Sequence, residues 1–101
     1  IGSGNLVHNL HLYNWKNSAA KAFDWALRFE MKMREFMQKG EDARVVTFDE
    51  LGDDAVLSVP TADHFLPLLY VLGLRRENDS ISFPVEGFDG GSMSMLSVKI
   101  G

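Results

Sequence analysis

The residues best able to do chemistry in this chain are three histidines, His8, His11 and His64. Neutral imidazole is both the commonest metal ligand and a general base near pH 7. No cysteine is present, which removes thiolate metal sites, thiol nucleophiles and disulfides from consideration. The three positions are not equivalent. On a period of two, Leu6, His8, Leu10 and Leu12 share one face of a strand, and Val7, Asn9, His11 and Tyr13 share the other. His8 therefore lies on an apolar face beside a Gly/Asn-rich turn, while His11 points away and reads as a surface or packing residue. His64 opens an apolar helix just after Pro60-Thr61. Burying an unpartnered imidazole is costly, so each ring needs a hydrogen bond, a metal or a substrate. The plain structural alternative is a core histidine bonded to a backbone carbonyl, and spacing alone leaves both readings open.

Other groups carry weaker signals. Asp63 beside His64 is either a support for that ring or an acid favoured by the positive end of a helix. The Gly87-Phe88-Asp89-Gly90-Gly91 loop lacks the strand-to-helix context and following lysine of a phosphate loop, and reads as a turn. Ser92 and Ser94 have no neighbouring base in sequence, which disfavours a hydrolase nucleophile. The acids Asp49, Glu50, Asp53 and Asp54 read as a solvated face, and Trp15 and Trp25 as packing anchors.

These groups must be positioned by a small set of elements. Ala19, Ala22, Phe23, Ala26, Phe29, Met33, Phe36 and Met37 recur at three- and four-residue steps, predicting a helix from Ser18 to Lys39. Asn17 or Ser18 is placed to cap it and Gly40 to stop it. Such a helix would be about 33 Å long, laced by the pairs Asp24–Arg28, Glu30–Arg34 and Glu35–Lys39. Leu6–Tyr13 is predicted as a strand or the exit of one. A short helix or turn near Thr47–Leu51 and an apolar run Val56–Val59 follow. Thr61 is placed to cap a second helix, apolar nearly all round to Leu74 and so expected to be buried, with Pro67 either in its first turns or kinking it. Ile81–Val85 is a strand, and Met93, Met95, Val98 and Ile100 mark a last one with a bulge near Leu96. The order predicts an α/β fold, a mixed sheet with packed helices, over residues 1–101 as one domain or a fragment of one.

Composition bounds the function. The 101 residues are 46% apolar and include 11 aromatics, which excludes disorder and supports one domain at most. A net charge of −4 argues against a nucleic-acid partner. No apolar run reaches 18 residues, so no membrane span is expected. The cysteine-free composition is compatible with the cytoplasm. Ile1-Gly2-Ser3-Gly4 has neither the basic start nor the apolar core of a signal peptide, and the chain reads as beginning partway through a longer protein.

The segment Pro60-Thr61-Ala62-Asp63-His64-Phe65-Leu66-Pro67-Leu68-Leu69-Tyr70 resembles the signature of the 4,5-DOPA dioxygenase family, the class III extradiol ring-cleavage dioxygenases. Ser3-Gly4-Asn5-Leu6-Val7-His8-Asn9-Leu10, Phe23-Asp24-Trp25-Ala26 and Gly90-Gly91-Ser92-Met93-Ser94-Met95 agree in the same order. The resemblance maps the chain onto the C-terminal portion of such an enzyme. It implies a non-haem Fe(II) or zinc site in an α/β fold, with His64 as a metal ligand and His8 as a second ligand or as the acid/base for the catechol proton. The implied partners are a catechol such as DOPA and dioxygen, and an N-terminal part of the same protein that supplies two further histidine ligands. A homo-oligomer is compatible with this. Two rival readings stand beside it. One is a non-catalytic interaction module packing through the Phe23/Phe29/Met33/Phe36 stripe. The other, weaker, is a metal-dependent hydrolase, disfavoured because no carboxylate is placed to activate water.

Overall fold

In the computed structural model, which describes residues 4–17, 19–76 and 78–101, the predicted long helix is shorter than its periodicity suggests. Helix α1 spans Asp24–Gln38. Its apolar stripe is covered by the rest of the chain, with Ala26, Phe29, Met33, Phe36 and Met37 all buried. Of the stripe on which the interaction-module reading rested, Phe29, Met33 and Phe36 are thus covered within the chain and Phe23 is 38% exposed. The late start has a tertiary cause. The Phe23 N–H donates to the Gly91 carbonyl at 3.0 Å, holding Phe23 extended at φ −62° and ψ 147°. Asn17 caps a local turn instead, its Oδ1 accepting from the Ala19 N–H, while Ser18 lies outside the described residues. The stop is as expected. Gly40 adopts φ 74°, and the Glu41 and Gly40 N–H groups bond back to the Phe36 and Met37 carbonyls in a Schellman closure.

After α1 the chain folds back through α2 (Asp42–Val46), a 3-10 turn (Phe48–Leu51, close to the predicted Thr47–Leu51) and α3 (Asp53–Ser58). The apolar run Val56–Val59 is thus the end of a helix. Asp54 is not merely solvated: it accepts two hydrogen bonds from Arg28, at 2.8 and 2.9 Å, which replaces the expected Asp24–Arg28 pair and holds the Asp54 carboxyl below its usual range. Glu30–Arg34 and Glu35–Lys39 form as expected.

Helix α4 (Leu66–Gly73) begins five residues after Thr61, which makes no side-chain cap, and Pro67 sits in its first turn. The expectation that this helix is buried on all sides is corrected. Only Leu72 is buried, while Tyr70 is 76% exposed and Leu74, just past the end, 80%. An apolar sequence states a demand for cover on both sides, and here the described residues pack only one. Trp15 is also not an anchor: it is 74% exposed in a turn, whereas half-buried Trp25 does pack on the core and stacks on Phe23.

The strands are very short. β1 (Ile81–Ser82) pairs antiparallel with β4 (Lys99–Ile100), and β2 (Phe88–Asp89) with β3 (Met93–Ser94). The mixed α/β class is as expected, with the sheet reduced to two antiparallel ladders among the described residues. The predicted strand Leu6–Tyr13 forms only one bridge, His8 to Met93. The predicted bulge at Leu96 is a full break between β3 and β4 in which the Met95 and Ser97 N–H groups bond the Gly87 and Val85 carbonyls. Phe65 is buried against Phe29 and Phe48, with ring centroids 6.2 and 4.3 Å away, so the residue next to His64 is fixed in the core. No helix among the described residues is long and apolar enough to cross a membrane.

Candidate functional site: a stacked histidine pair

The rings of His8 and His64 lie face to face, centroids 3.7 Å apart and planes 14° from parallel. Fifty-six residues of chain are folded so that these two imidazoles meet. His8 is half-buried and His64 exposed, so the pair opens to solvent on the His64 side. Burial, and then the neighbouring His64, push the His8 imidazole below its ordinary value near 6.5, against an opposing backbone hydrogen bond. At neutral pH His8 is therefore the uncharged base, with a free lone pair.

Each ring is held through its backbone. The His8 N–H donates to the Ser58 carbonyl at 2.9 Å, and His8 bridges Met93 on β3. The His64 carbonyl accepts from the Asn5 N–H at 2.6 Å. Phe65 and Leu66 both bond the Ala62 carbonyl, which closes the tight turn that presents His64 ahead of α4. His11 is exposed and separate from the pair, as expected, and Asp63 is exposed on the same turn. Beside His64 lies a cavity of about 380 Å³, walled by Asn5, Leu68, Val71, Ser94 and Val98.

The donor set for a metal is partial. Among the described residues no three His, Cys, Asp or Glu side chains gather closely enough to hold an ion. An imidazole binds a metal at about 2.0–2.1 Å through a nitrogen lone pair, which lies in the ring plane. In two nearly parallel stacked rings those lone pairs run side by side and do not converge, so sharing one ion requires a ring to turn. The exposed His64 ring is suited to serve as one ligand of an ion whose remaining ligands come from elsewhere.

Sequence reasoning missed the groups that hold the pair. Asn5 donates from Nδ2 to the Ser94 carbonyl at 2.9 Å. Asn9 is buried and donates from Nδ2 to the Leu57 carbonyl at 2.8 Å. Ser92 Oγ donates to the Asn9 carbonyl at 2.6 Å. Buried Glu30 accepts from Ser94 Oγ at 2.7 Å, so Ser94 is a hydrogen-bond donor and not a nucleophile here. Glu30 had a readable signal: it falls four residues after Ala26 and three before Met33, on the apolar face of α1.

A pair of imidazoles on an α/β scaffold, one held neutral and the other open beside an apolar cavity, defines a site able to exchange protons and contribute a metal ligand. Comparison with known proteins narrows this. The chain is 40% identical, over an alignment of 104 positions that takes in all of it, to the 4,5-DOPA dioxygenase extradiol of Escherichia coli (strain K12). It spans 38% of that relative, in keeping with a C-terminal segment. Its fold matches the crystal structure of an uncharacterized protein from Escherichia coli K12 with a TM-score of 0.86 and 39% identity, over 98% of this chain and 41% of that one. No family model matches the chain. The resemblance read from the His64 and His8 segments is thereby borne out: the chain is similar throughout to an extradiol dioxygenase.

Proposed function

We propose that this chain is the C-terminal part of a metal-dependent extradiol dioxygenase that opens the ring of a catechol such as DOPA. The observation that carries the reading is the meeting of His8 and His64, each within the segment that resembles the dioxygenase. His64 would hold an iron(II) or zinc ion as one ligand, with two further histidines supplied by the N-terminal part of the protein. When bound, such an ion would supply Lewis acidity toward the catechol. His8, uncharged near neutral pH and half-buried, is suited to take the proton that a catechol hydroxyl gives up and to return it later. Its stacking on His64 keeps that base within one ring thickness of the ligand position. The overall reaction adds both atoms of dioxygen to the ring as a carbon–carbon bond beside a hydroxyl-bearing carbon breaks, so no other oxidant is consumed.

The test is iron and zinc titration of the protein encoded by the whole reading frame, wild type against His64→Ala. The expected result is a loss of affinity of at least about tenfold, the scale on which even supporting groups of a metal site act. Unchanged affinity would refute the ligand assignment. His8→Gln is expected to retain the metal and lose ring opening, and a His8→Gln protein that opens the ring at the wild-type rate would refute the proton-transfer role.

A further inference from the structure

We propose that Asn5 is the positioning residue of the imidazole pair, a clamp whose two ends hold the backbone carrying each ring. One end is its N–H, which donates to the carbonyl of His64 itself at 2.6 Å. The other is its side-chain amide, which donates to the Ser94 carbonyl at 2.9 Å. Ser94 returns the contact to the His8 segment, its N–H donating to the Val7 carbonyl at 2.9 Å. The adjoining Met93 bridges His8. A single residue thus joins the turn bearing His64 to the strand that registers His8. The other bonds of the His8 segment, from His8 to Ser58 and from Asn9 to Leu57 and Ser92, fix it to α3 and to the residue before β3 but not to His64.

Gly4 shows how tightly the clamp closes. A Cβ at this position would overlap the His64 carbonyl oxygen and stand 3.0 Å from Pro67 Cγ. The first is rigid backbone and cannot move aside without carrying His64 with it. Gly4 is therefore required by the close approach of two chain segments. The clamp stands on these distances alone; its bearing on ring opening rests on the function proposed above.

The test reads the stack directly. In NMR spectra of the 101-residue chain at a pH where both rings are neutral, the His64 ring protons are displaced upfield by the current of the His8 ring. His8→Ala gives their unstacked position. Asn5→Ala, which cuts the Ser94 end, and Gly4→Ala, which wedges the His64 end, are each expected to move those protons most of the way to the unstacked position while far-UV circular dichroism is retained. Val45→Ala, a core truncation on α2 that touches none of the clamp's hydrogen bonds, is expected to lower the melting temperature and leave the stack in place. Should Asn5→Ala not fold, Asn5→Ser carries the same comparison. The clamp is overturned if folded Asn5 and Gly4 variants keep the wild-type shifts, or if Val45→Ala unstacks the rings equally. None of these readouts involves metal or turnover, so the clamp and the dioxygenase reading fail separately.

Discussion

His8 is uncharged in the fold for a reason that also makes it sensitive to acid. Its burial and the neighbouring His64 both oppose protonation, so the folded ring titrates below the ordinary value near 6.5 that it has when unfolded. Above that value the ring is neutral in both states and costs nothing. As pH falls through it, the unfolded chain takes up the proton first and stability is lost toward the lower, folded value. The expected outcome is a urea midpoint that drops between about pH 7.5 and 5.5, with a shallower drop in His8→Gln. Equal slopes in the two proteins would show that His8 is not held neutral. At this scale the sequence was informative about residue types and poor about partners. His8 and His64 stood out because imidazoles are scarce and lie in recognisable segments. Asn5 did not, because a side chain that works through backbone carbonyls leaves no spacing to detect.

Among the elements, α1 and β3 are joined by one buried contact. The Glu30 carboxylate, 6% exposed, accepts from Ser94 Oγ, with Arg34 Nη1 at a looser 3.7 Å from its other oxygen. Arg34 is shared, since it also pairs with exposed Glu86. Ser94→Ala removes the closest donor from a carboxylate that is nearly all buried, and is expected to cost about 1–3 kcal/mol by denaturant titration. Glu30→Gln, which keeps an acceptor and sheds the charge, is expected to cost less. Met33→Ala, truncating a fully buried side chain of the same helix, is expected to cost about 2–5 kcal/mol. A change below about 0.5 kcal/mol in Ser94→Ala would show that Glu30 draws its stability from Arg34 alone. Periodicity made this helix legible and misjudged its ends. The stripe from Ala26 to Met37 is a local property, but the start is decided by Phe23 bonding to Gly91, sixty-eight residues away. Two-residue strands are too short for alternation to show. The alternation over Leu6–Tyr13 was real but misleading, because only Val7, His8 and Asn9 meet residues 92–94, in a single bridge, and the His8 N–H turns away to the Ser58 carbonyl.

At the scale of the whole molecule, the radius of gyration of 13.0 Å equals the value of about 13 Å expected for a folded chain of this length. The chain therefore condenses like a domain while the described residues leave the outer side of α4 uncovered and, on the function proposed above, supply only part of a ligand shell around His64. The second yields a quantitative expectation. With His64 as the one suited ligand and no cluster of three donors among the described residues, zinc binding to the 101-residue chain should be weak. Stabilisation by a ligand is RT ln(1 + [L]/Kd), so zinc at a concentration equal to its Kd adds only about 0.4 kcal/mol. For a domain of this size that raises the melting temperature by about 2–3 °C. We expect a rise no larger than this at about 1 mM zinc, absent in His64→Ala, and no detectable opening of the DOPA ring by the chain alone. A rise above about 10 °C corresponds to at least 1 kcal/mol and a Kd several-fold below the zinc concentration. That outcome would mean that these residues bind zinc through more than His64 alone, and the expectation of weak, single-ligand binding by this chain would have to be abandoned.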